Sequence, residues 1–111
     1  MMHQMSLNPE AFRNIKEGKQ RIELRLFDEK RQKVHPGDAI TFSRLPDKTG
    51  QISVDVVGLS IFPSFKALFE TLGESVTGCT LPELLRWRDA TYTEQEETTY
   101  GVIGIHIRIR N

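Results

Sequence analysis

The sequence contains a single cysteine, Cys79, and three scattered histidines, His3, His35 and His106, among its 111 residues. One cysteine excludes an internal disulfide and suits a reducing compartment, so we expect a cytoplasmic protein. The cysteine and histidines do not cluster with the spacing of zinc ligands. We therefore expect neither a structural metal nor a cofactor.

Long apolar runs are also missing. No run approaches the roughly 20 residues that a membrane-spanning helix needs, and the start MMHQMSLNPEAF lacks the basic head and apolar stretch of a secretory signal. We expect no membrane association. With 15 basic and 15 acidic residues the net charge is zero, so composition alone requires no polyanionic partner.

The charges are nevertheless unevenly distributed along the chain. Residues 13–33 contain eight lysines and arginines against four acids, whereas residues 66–100 contain three basic residues against seven acids. The first segment is thus the basic part of an otherwise balanced sequence.

Helix starts are marked by polar residues whose side-chain oxygens can cap a following helix. These residues are Asn8, Ser64, Thr80 and Thr93. Gly18 and Gly73 end the first two of these helices. Helices are therefore predicted in the first 17 residues and between about 64 and 98.

Short segments of alternating polarity predict strands in the rest of the chain. They are residues 21–27, AITFSR, QISVDVVGLSIF and YGVIGIHIRIR. LPDKTG predicts the turn of a hairpin, and Gly58 predicts a bulge. We expect residues 1–111 to form one α+β domain, in which a small mixed or antiparallel sheet curls into a barrel.

The stretch GKQRIELR, residues 18–25, has one apolar face and one polar face. Side chains alternate along a strand, so Ile22, Leu24 and Leu26 point to the core. The opposite face is either solvated surface or the floor of a site, and it carries Arg21, Glu23, Arg25 and Phe27. From the residues alone, a structural ion pair between Glu23 and Arg25 is the simpler interpretation.

The same stretch resembles the signature G-x-K-x-x-E-x-R of ASCH (activating signal cointegrator homology) domains. Gly18, Glu23 and Arg25 match it, and the similarity extends through PGDAITF and SF to YTEQEETTYGVIGI. The resemblance implies a PUA-like small mixed β-barrel with flanking short helices and a cleft lined by the signature strand. Because PUA-like domains generally bind RNA, it also implies RNA or a (modified) nucleoside or nucleotide as partner.

Some small bacterial members of that family remove the acetyl group of N4-acetylcytidine with the signature lysine, a threonine and an acid. Here Gln20 stands at the lysine position and Glu23 at the threonine position. The acid falls near Thr77, where the closest carboxylate is Glu74. Glutamine cannot carry a proton or attack a substrate, and Lys19 can replace it only if the Gly18 turn changes the direction of its side chain.

Three functions therefore compete. The first is an RNA- or nucleotide-binding domain whose ligand contacts are Lys19, Gln20, Arg21, Glu23, Arg25, Arg31, Tyr92 and Tyr100. The second is a hydrolase of a modified nucleoside or of RNA, with Lys19 and Glu23 as the catalytic pair. The third is a protein-interaction domain, which an exposed patch of Phe62, Phe65 and Phe69 would favour.

Two further residues are interpreted structurally. Trp87 follows two leucines, so we expect it in the core or at its rim rather than as a platform for a base. His106 alternates with the isoleucines of the last strand, so we expect it at the surface.

Overall fold

A curled five-stranded sheet organises the computed structural model, which describes residues 1–110. Its strands are β1 (Met2–Leu7), β2 (Ile22–Leu26), β3 (Ala39–Arg44), β4 (Gln51–Phe62) and β5 (Val102–Ile109). They lie in the order β1-β3-β4-β5-β2, with β1 parallel to β3 and every other pair antiparallel. The expected α+β class with a small mixed barrel is confirmed, although the barrel stays open between its edge strands β1 and β2.

Short helices flank the sheet: α1 (Pro9–Lys16), α2 (Phe65–Leu72), α3 (Glu74–Thr77), α4 (Leu81–Thr91) and α5 (Glu94–Tyr100), with a 3₁₀ turn at Arg31–Lys33. All four predicted N-caps are confirmed, because each side-chain oxygen accepts the backbone N–H three residues later. Thr80 and Thr93 complete capping boxes with Glu83 and Glu96. The predicted bulge appears as a register shift between Val56 and Gly58.

Strand β1 is absent from the sequence prediction. Its inward positions are His3, Met5 and Leu7, all buried. The buried histidine is satisfied by Asp38, whose Oδ2 lies 2.8 Å from His3 Nε2. This partner is 35 residues away in the sequence. The residues next to His3 in the sequence therefore give no sign that its side chain is buried.

Two apolar clusters lie on opposite faces of the sheet. The inner cluster fills the curl and includes Phe12 and Ile15 of α1. The outer cluster joins β2 and β5 to α2 and α4, and it contains Ile22, Leu24, Leu26, Phe65, Leu68, Leu84 and Val102. Strand β2 thus packs Ile22, Leu24 and Leu26 against the helices, as its alternation predicts, and directs Glu23 and Arg25 to its other face.

Gly104 allows the helical layer to approach the outer face of β5. A Cβ atom at this position would lie 2.7 Å from Ile22 Cδ1 and 3.5 Å from Leu68 Cδ1. The first of these contacts is too short for two carbon atoms, so a side chain here would displace Ile22 of the neighbouring strand β2, whereas the distance to Leu68 of α2 is an ordinary van der Waals contact. The glycine thus leaves room for Ile22 beneath the helical layer.

Candidate functional site

A cavity of about 420 Å³ opens where the edge strands β1 and β2 fail to pair. We call it the first cavity. Its walls are the end of β1 with the start of α1, the signature strand, residues 77–79, and α4 with Tyr92. Its volume is within the range of small-molecule sites in proteins, about 300–1,000 Å³.

Glu23 and Arg25 form the floor of the first cavity. Their side chains project from the same face of β2, where Arg25 donates from Nε and Nη2 to Glu23 Oε2 at 3.2 and 2.9 Å. Both side chains are largely withdrawn from solvent, with exposed fractions of 7% for Glu23 and 15% for Arg25. The ion pair suggested by their spacing is therefore present, and it also lines the cavity.

Arg25 also links the two edges of the open barrel. Its Nη2 donates to the backbone carbonyl oxygen of Ser6 at 2.7 Å. Since β1 and β2 are not neighbours in the sheet, this side chain supplies a connection that a closed barrel would make through backbone hydrogen bonds. The signature arginine thus shapes the cavity as well as lining it.

The floor retains unused hydrogen-bonding capacity. Glu23 Oε1 accepts the backbone N–H of Leu24 at 3.1 Å, so three of about four acceptor positions of the carboxylate are occupied. Arg25 uses Nε and Nη2 for the bonds it makes within residues 1–110. The two N–H groups of Nη1 remain, so the pair offers donors and an acceptor side by side.

Aromatic rings form the opposite wall. Trp87 and Tyr92 line the cavity and contact each other edge to face, with ring centroids 5.7 Å apart. Both pack on the fully buried Phe65, whose centroid is 5.2 Å from that of Trp87 and 5.9 Å from that of Tyr92. The arrangement holds both rings in place. Burial raises the pKa of the Tyr92 hydroxyl, which therefore stays protonated.

Gln20 and Lys19 are separated by the turn at Gly18. Gly18 has φ +77°, and the N–H groups of the next two residues both donate to the Asn14 carbonyl, at 2.8 and 3.1 Å. Gln20 then lines the first cavity, donating to the Ile22 carbonyl at 2.8 Å. Lys19 points elsewhere, with 71% of its side chain exposed and Nζ 3.1 Å from Glu17. The turn does not bring Lys19 beside Glu23.

The remaining wall is the segment after α3. Thr77 is buried, and its hydroxyl donates to the carbonyl of Gly73 at 3.0 Å or of Cys79 at 3.3 Å. Burial raises the pKa of the Cys79 thiol, and the charges of Glu83 and Glu74 raise it further. The thiol is therefore protonated near neutral pH and is a weak nucleophile.

Acidic groups dominate the charge of the first cavity. Three carboxylates line it, from Glu10, Glu23 and Glu83, against one guanidinium, from Arg25. Hydrogen bonds from the backbone and side chain of Thr80 lower the pKa of Glu83, which keeps it ionised. Glu74, the carboxylate nearest to Thr77 in sequence, is not part of the lining, so Glu83 is the acid that the fold brings to this wall.

The predicted ligand contacts divide into three groups. Gln20, Glu23, Arg25 and Tyr92 converge on the first cavity. Lys19 and Arg21 instead line a second cavity of about 390 Å³, together with Ser75, Val76 and His106. Arg31 and Tyr100 line neither: Arg31 pairs with Asp28 at 3.0 Å, and Tyr100 ends α5 with 39% of its surface exposed.

Other residues of the first cavity escaped the sequence prediction as contacts. Those of the helical layer include Thr77, Cys79, Glu83 and Trp87; a stacking role for Trp87 was weighed, but a place in the core or at its rim was preferred. They reach the cavity through packing of the helical layer on β2 and β5, a long-range arrangement. The one local signal for any of these residues was the capping box at Thr80, which predicts that Glu83 is held at the start of α4.

Two other expectations concern features outside this cavity. Phe65 is fully buried and Phe62 and Phe69 pack partly buried against the outer cluster, so these phenylalanines form no exposed patch. Within residues 1–110, no three histidine, cysteine or acidic side chains are grouped to hold a metal ion. In the same part of the chain, no helix has the length and hydrophobicity needed to cross a bilayer.

One family model and several solved structures match nearly the whole chain. The family model of the ASCH domain matches residues 5–109. The crystal structure of the hypothetical protein PH0355 is 34% identical with a TM-score of 0.85, and the match covers 99% of this chain and 100% of that one. The NMR structure of PF0455 from Pyrococcus furiosus is 33% identical with a TM-score of 0.77, covering 98% and 97%.

A more distant structure supports the fold alone. A mutant of the ASCH protein of Zymomonas mobilis has 12% identity and a TM-score of 0.68, over 99% of this chain and 75% of that one. A search of the curated proteins found no match. The expected fold, a PUA-like small mixed β-barrel with flanking short helices, is therefore confirmed, in the form of a half-barrel that these structures share.

Proposed function

The chain belongs to the ASCH domain family, and from this premise we propose that its first cavity binds the base of a nucleoside. The observation that carries the proposal is the floor, where the Glu23–Arg25 pair keeps unused donors and an acceptor within a recess bounded by aromatic rings. A flat heterocycle with polar edges needs both features, because its face is apolar and its edge is not.

The order of groups on the floor favours a base with an amino group beside a ring acceptor, such as cytosine, over uracil. Cytosine presents an amino group beside acceptor atoms along its pairing edge. The carboxylate of Glu23 accepts from the amino group, while Nη1 of Arg25 donates to the adjacent acceptors. Uracil presents a carbonyl oxygen in place of the amino group, and that oxygen would face the Glu23 carboxylate.

The charge of the cavity supports a neutral ligand group over a phosphate. Three carboxylates surround the recess and its single cation is already paired with Glu23. A phosphate in the same place would meet like charges at short range, which is unfavourable in a partly buried site. The base therefore enters the cavity and any phosphate stays outside it.

The hydrolase ranks second. Its pair, Lys19 and Glu23, would have to act on one bound molecule, yet Lys19 is exposed and lines a different cavity. Gln20 has no ionisable group, and the Cys79 thiol is protonated near neutral pH. Incubation with N4-acetylcytidine followed by chromatography tests this alternative, since released cytidine that disappears in Glu23→Gln would promote it.

Calorimetric titration with cytidine, N4-acetylcytidine and uridine tests the binding proposal. We expect cytidine to bind the wild-type protein about tenfold more tightly than uridine, because one charge-assisted hydrogen bond is lost with uridine. In Glu23→Gln the preference disappears, since the amide can rotate to satisfy either base. Glu17→Gln, which removes a carboxylate outside the first cavity, serves as the matched control and keeps the preference.

Two results would overturn the proposal. One is the absence of nucleoside binding to a folded wild-type protein at low salt. The other is a cytidine preference that survives in Glu23→Gln, because the discriminating group would then lie elsewhere. Circular dichroism of each variant confirms that the substitution leaves the fold intact.

A further inference from the structure

The second cavity is basic where the first is acidic. Lys19, Arg21 and His106 line it with Ser75 and Val76, and no carboxylate belongs to that lining. The proposed nucleoside site makes no use of these groups. Three nitrogen-bearing side chains around a recess of about 390 Å³ fit an anion with several oxygens.

We infer that the second cavity binds the phosphate adjoining the base held in the first cavity, so that the ligand is single-stranded RNA rather than a free nucleoside. This inference rests on the proposed function. It adds the class of ligand, a nucleotide within an RNA chain. Its base lies in the first cavity and its phosphate in the second, on either side of a ridge of backbone.

The two cavities share that ridge. Gln20 lines the first cavity, whereas its neighbours on both sides, Lys19 and Arg21, line the second. In the same way residues 77–79 line the first cavity and residues 75–76 the second. The same two chain segments therefore line both cavities with different residues, so the cavities adjoin along them and a nucleotide bound in the first can direct its phosphate toward the second.

The cations of the second cavity are available to a ligand. Arg21 is exposed and makes no salt bridge within the described chain, residues 1–110. Lys19 is paired with Glu17 at 3.1 Å, but both side chains are largely exposed, at 71% and 45%. Pairs of that kind contribute little to stability, so a phosphate oxygen can replace the carboxylate at small cost.

His106 is held in a fixed direction by a neighbouring strand. The Oγ of Ser60 on β4 lies 2.7 Å from its Nε2. The ring also rests against Gly58, where an added Cβ atom would lie 3.8 Å from His106 Cδ2. Because Nε2 is occupied by Ser60, Nδ1 is the ring atom left for a ligand. Ser60 itself does not line the cavity, so its hydroxyl acts on a ligand only through this ring.

Titration with cytidine and with the dinucleotide cytidylyl-cytidine tests the inference. The dinucleotide adds one phosphate and a second cytidine to the same base, so the contribution of the second cavity is the part of its advantage that Arg21→Gln removes. We expect it to bind the wild-type protein about fivefold more tightly than cytidine at low salt, the effect of one exposed ion pair. Arg21→Gln loses this advantage and keeps the cytidine affinity.

Arg13→Gln is the matched control, because Arg13 is an exposed arginine of α1 that lines neither cavity. It keeps the dinucleotide advantage. The advantage also falls with salt, with a slope of about 0.7 in log K against log salt for one phosphate contact. Arg21→Gln abolishes that slope.

The outcomes separate this inference from the proposed function. If cytidine binds but the dinucleotide binds no better, or if Arg13→Gln weakens the dinucleotide as much as Arg21→Gln, the inference is wrong and the nucleoside site stands. If cytidine fails to bind, both fail. If the dinucleotide advantage is lost only in Arg21→Gln, the second cavity is the phosphate subsite.

Discussion

The two cavities lie on opposite sides of one ridge and differ in almost every physical respect. The first has three carboxylates, one guanidinium and two aromatic rings, and its Glu23–Arg25 pair is largely buried. The second has lysine, arginine and histidine at its rim, with Lys19 mostly exposed. Buried, mutually fixed groups discriminate between ligands, whereas exposed charges add attraction that depends on salt.

The contrast assigns different tasks to neighbouring residues of one signature. Gln20, Glu23 and Arg25 would select a base, and Lys19 and Arg21 would hold its phosphate. Variants of the first group should therefore change stability and discrimination, and variants of the second should change only affinity and its salt dependence. Single substitutions test this division of tasks. Their effects on stability and affinity should be larger the more deeply the removed group is buried.

Arg25→Ala should produce the largest effect. It leaves the carboxylate of Glu23, a side chain that is 7% exposed, without its cation, and it removes the link to the Ser6 carbonyl across the open barrel. Breaking a buried ion pair costs about 3 kcal/mol of unfolding free energy. Chemical denaturation measures the loss, and binding of cytidine should disappear with it.

Arg110→Ala is the control for that experiment. Arg110 pairs with Asp55 at 2.7 Å, but 48% of its side chain is exposed. An exposed pair of this kind is worth at most about 1 kcal/mol. Equal losses of unfolding free energy in Arg25→Ala and Arg110→Ala would contradict the claim that burial makes the Glu23–Arg25 pair more important to stability than a surface ion pair.

Trp87→Leu should weaken the nucleoside and leave the phosphate contribution alone. The indole is part of the aromatic wall, and stacking of a base on an aromatic side chain is worth about 1–3 kcal/mol, so we expect roughly a tenfold loss of cytidine affinity. The ratio of dinucleotide to cytidine affinity should stay at its wild-type value. Titration with both ligands measures the two quantities.

Phe69→Leu provides the matched aromatic control. Phe69 packs on the same outer cluster but does not line the first cavity. Its replacement should lower stability without changing affinity. A comparable loss of cytidine binding in Phe69→Leu would show that Trp87 acts through packing of the helical layer rather than through the ligand.

Local chemistry was sufficient to predict most elements of the fold. Capping residues such as Asn8 and Thr80 act within one helical turn, and the alternating isoleucines of β5 fix its inward face. Strand β1 was missed because its buried His3 depends on Asp38, which is distant in sequence. The helical cover on the outer face of β5 was missed for the same kind of reason, since Gly104 gives no sign that α2 packs above it.

The positions of the site residues could be predicted only where the alternation of side chains along one strand determines them. Alternation placed Gln20 and Lys19 on different sides and Glu23 with Arg25 on one side, as found. It also placed Arg21 with Glu23, which is wrong, because Arg21 precedes the start of β2 at Ile22 and lines the second cavity. It could not place Arg31 or Tyr92, because whether they reach the cavity depends on how a loop and a helix pack against the sheet.

The pKa of the Cys79 thiol depends on how far the wall of the first cavity is shielded from water. Burial and the charge of Glu83 raise the pKa of its thiol above the ordinary value. The thiolate therefore forms at higher pH than in a free cysteine, and iodoacetamide should modify Cys79 several-fold more slowly than a model peptide between about pH 8 and 9. Mass spectrometry against pH measures the rate, and bound cytidine should slow it further.

Glu83→Gln sharpens that experiment. The amide keeps an oxygen for the Thr80 N–H of the capping box but removes the charge beside the thiol. The thiol pKa should fall and alkylation should accelerate at a given pH. A rate that matches the peptide in the wild-type protein would mean that the cavity wall at Cys79 is open to water.

Ser60→Ala should give the smallest effect, and only in the second cavity. It removes the 2.7 Å hydrogen bond that directs His106 but no group that lines either cavity. A less ordered imidazole binds a phosphate more weakly, so dinucleotide affinity should fall about twofold while cytidine affinity stays unchanged. Ser53→Ala, which removes another partly buried hydroxyl of β4 paired with Thr41 at 3.5 Å, should change neither. Ser60 can influence the phosphate only through His106. A loss of affinity confined to the dinucleotide would therefore assign the His106 ring to the phosphate subsite. An equal loss of cytidine affinity would instead indicate that the substitution has shifted β4.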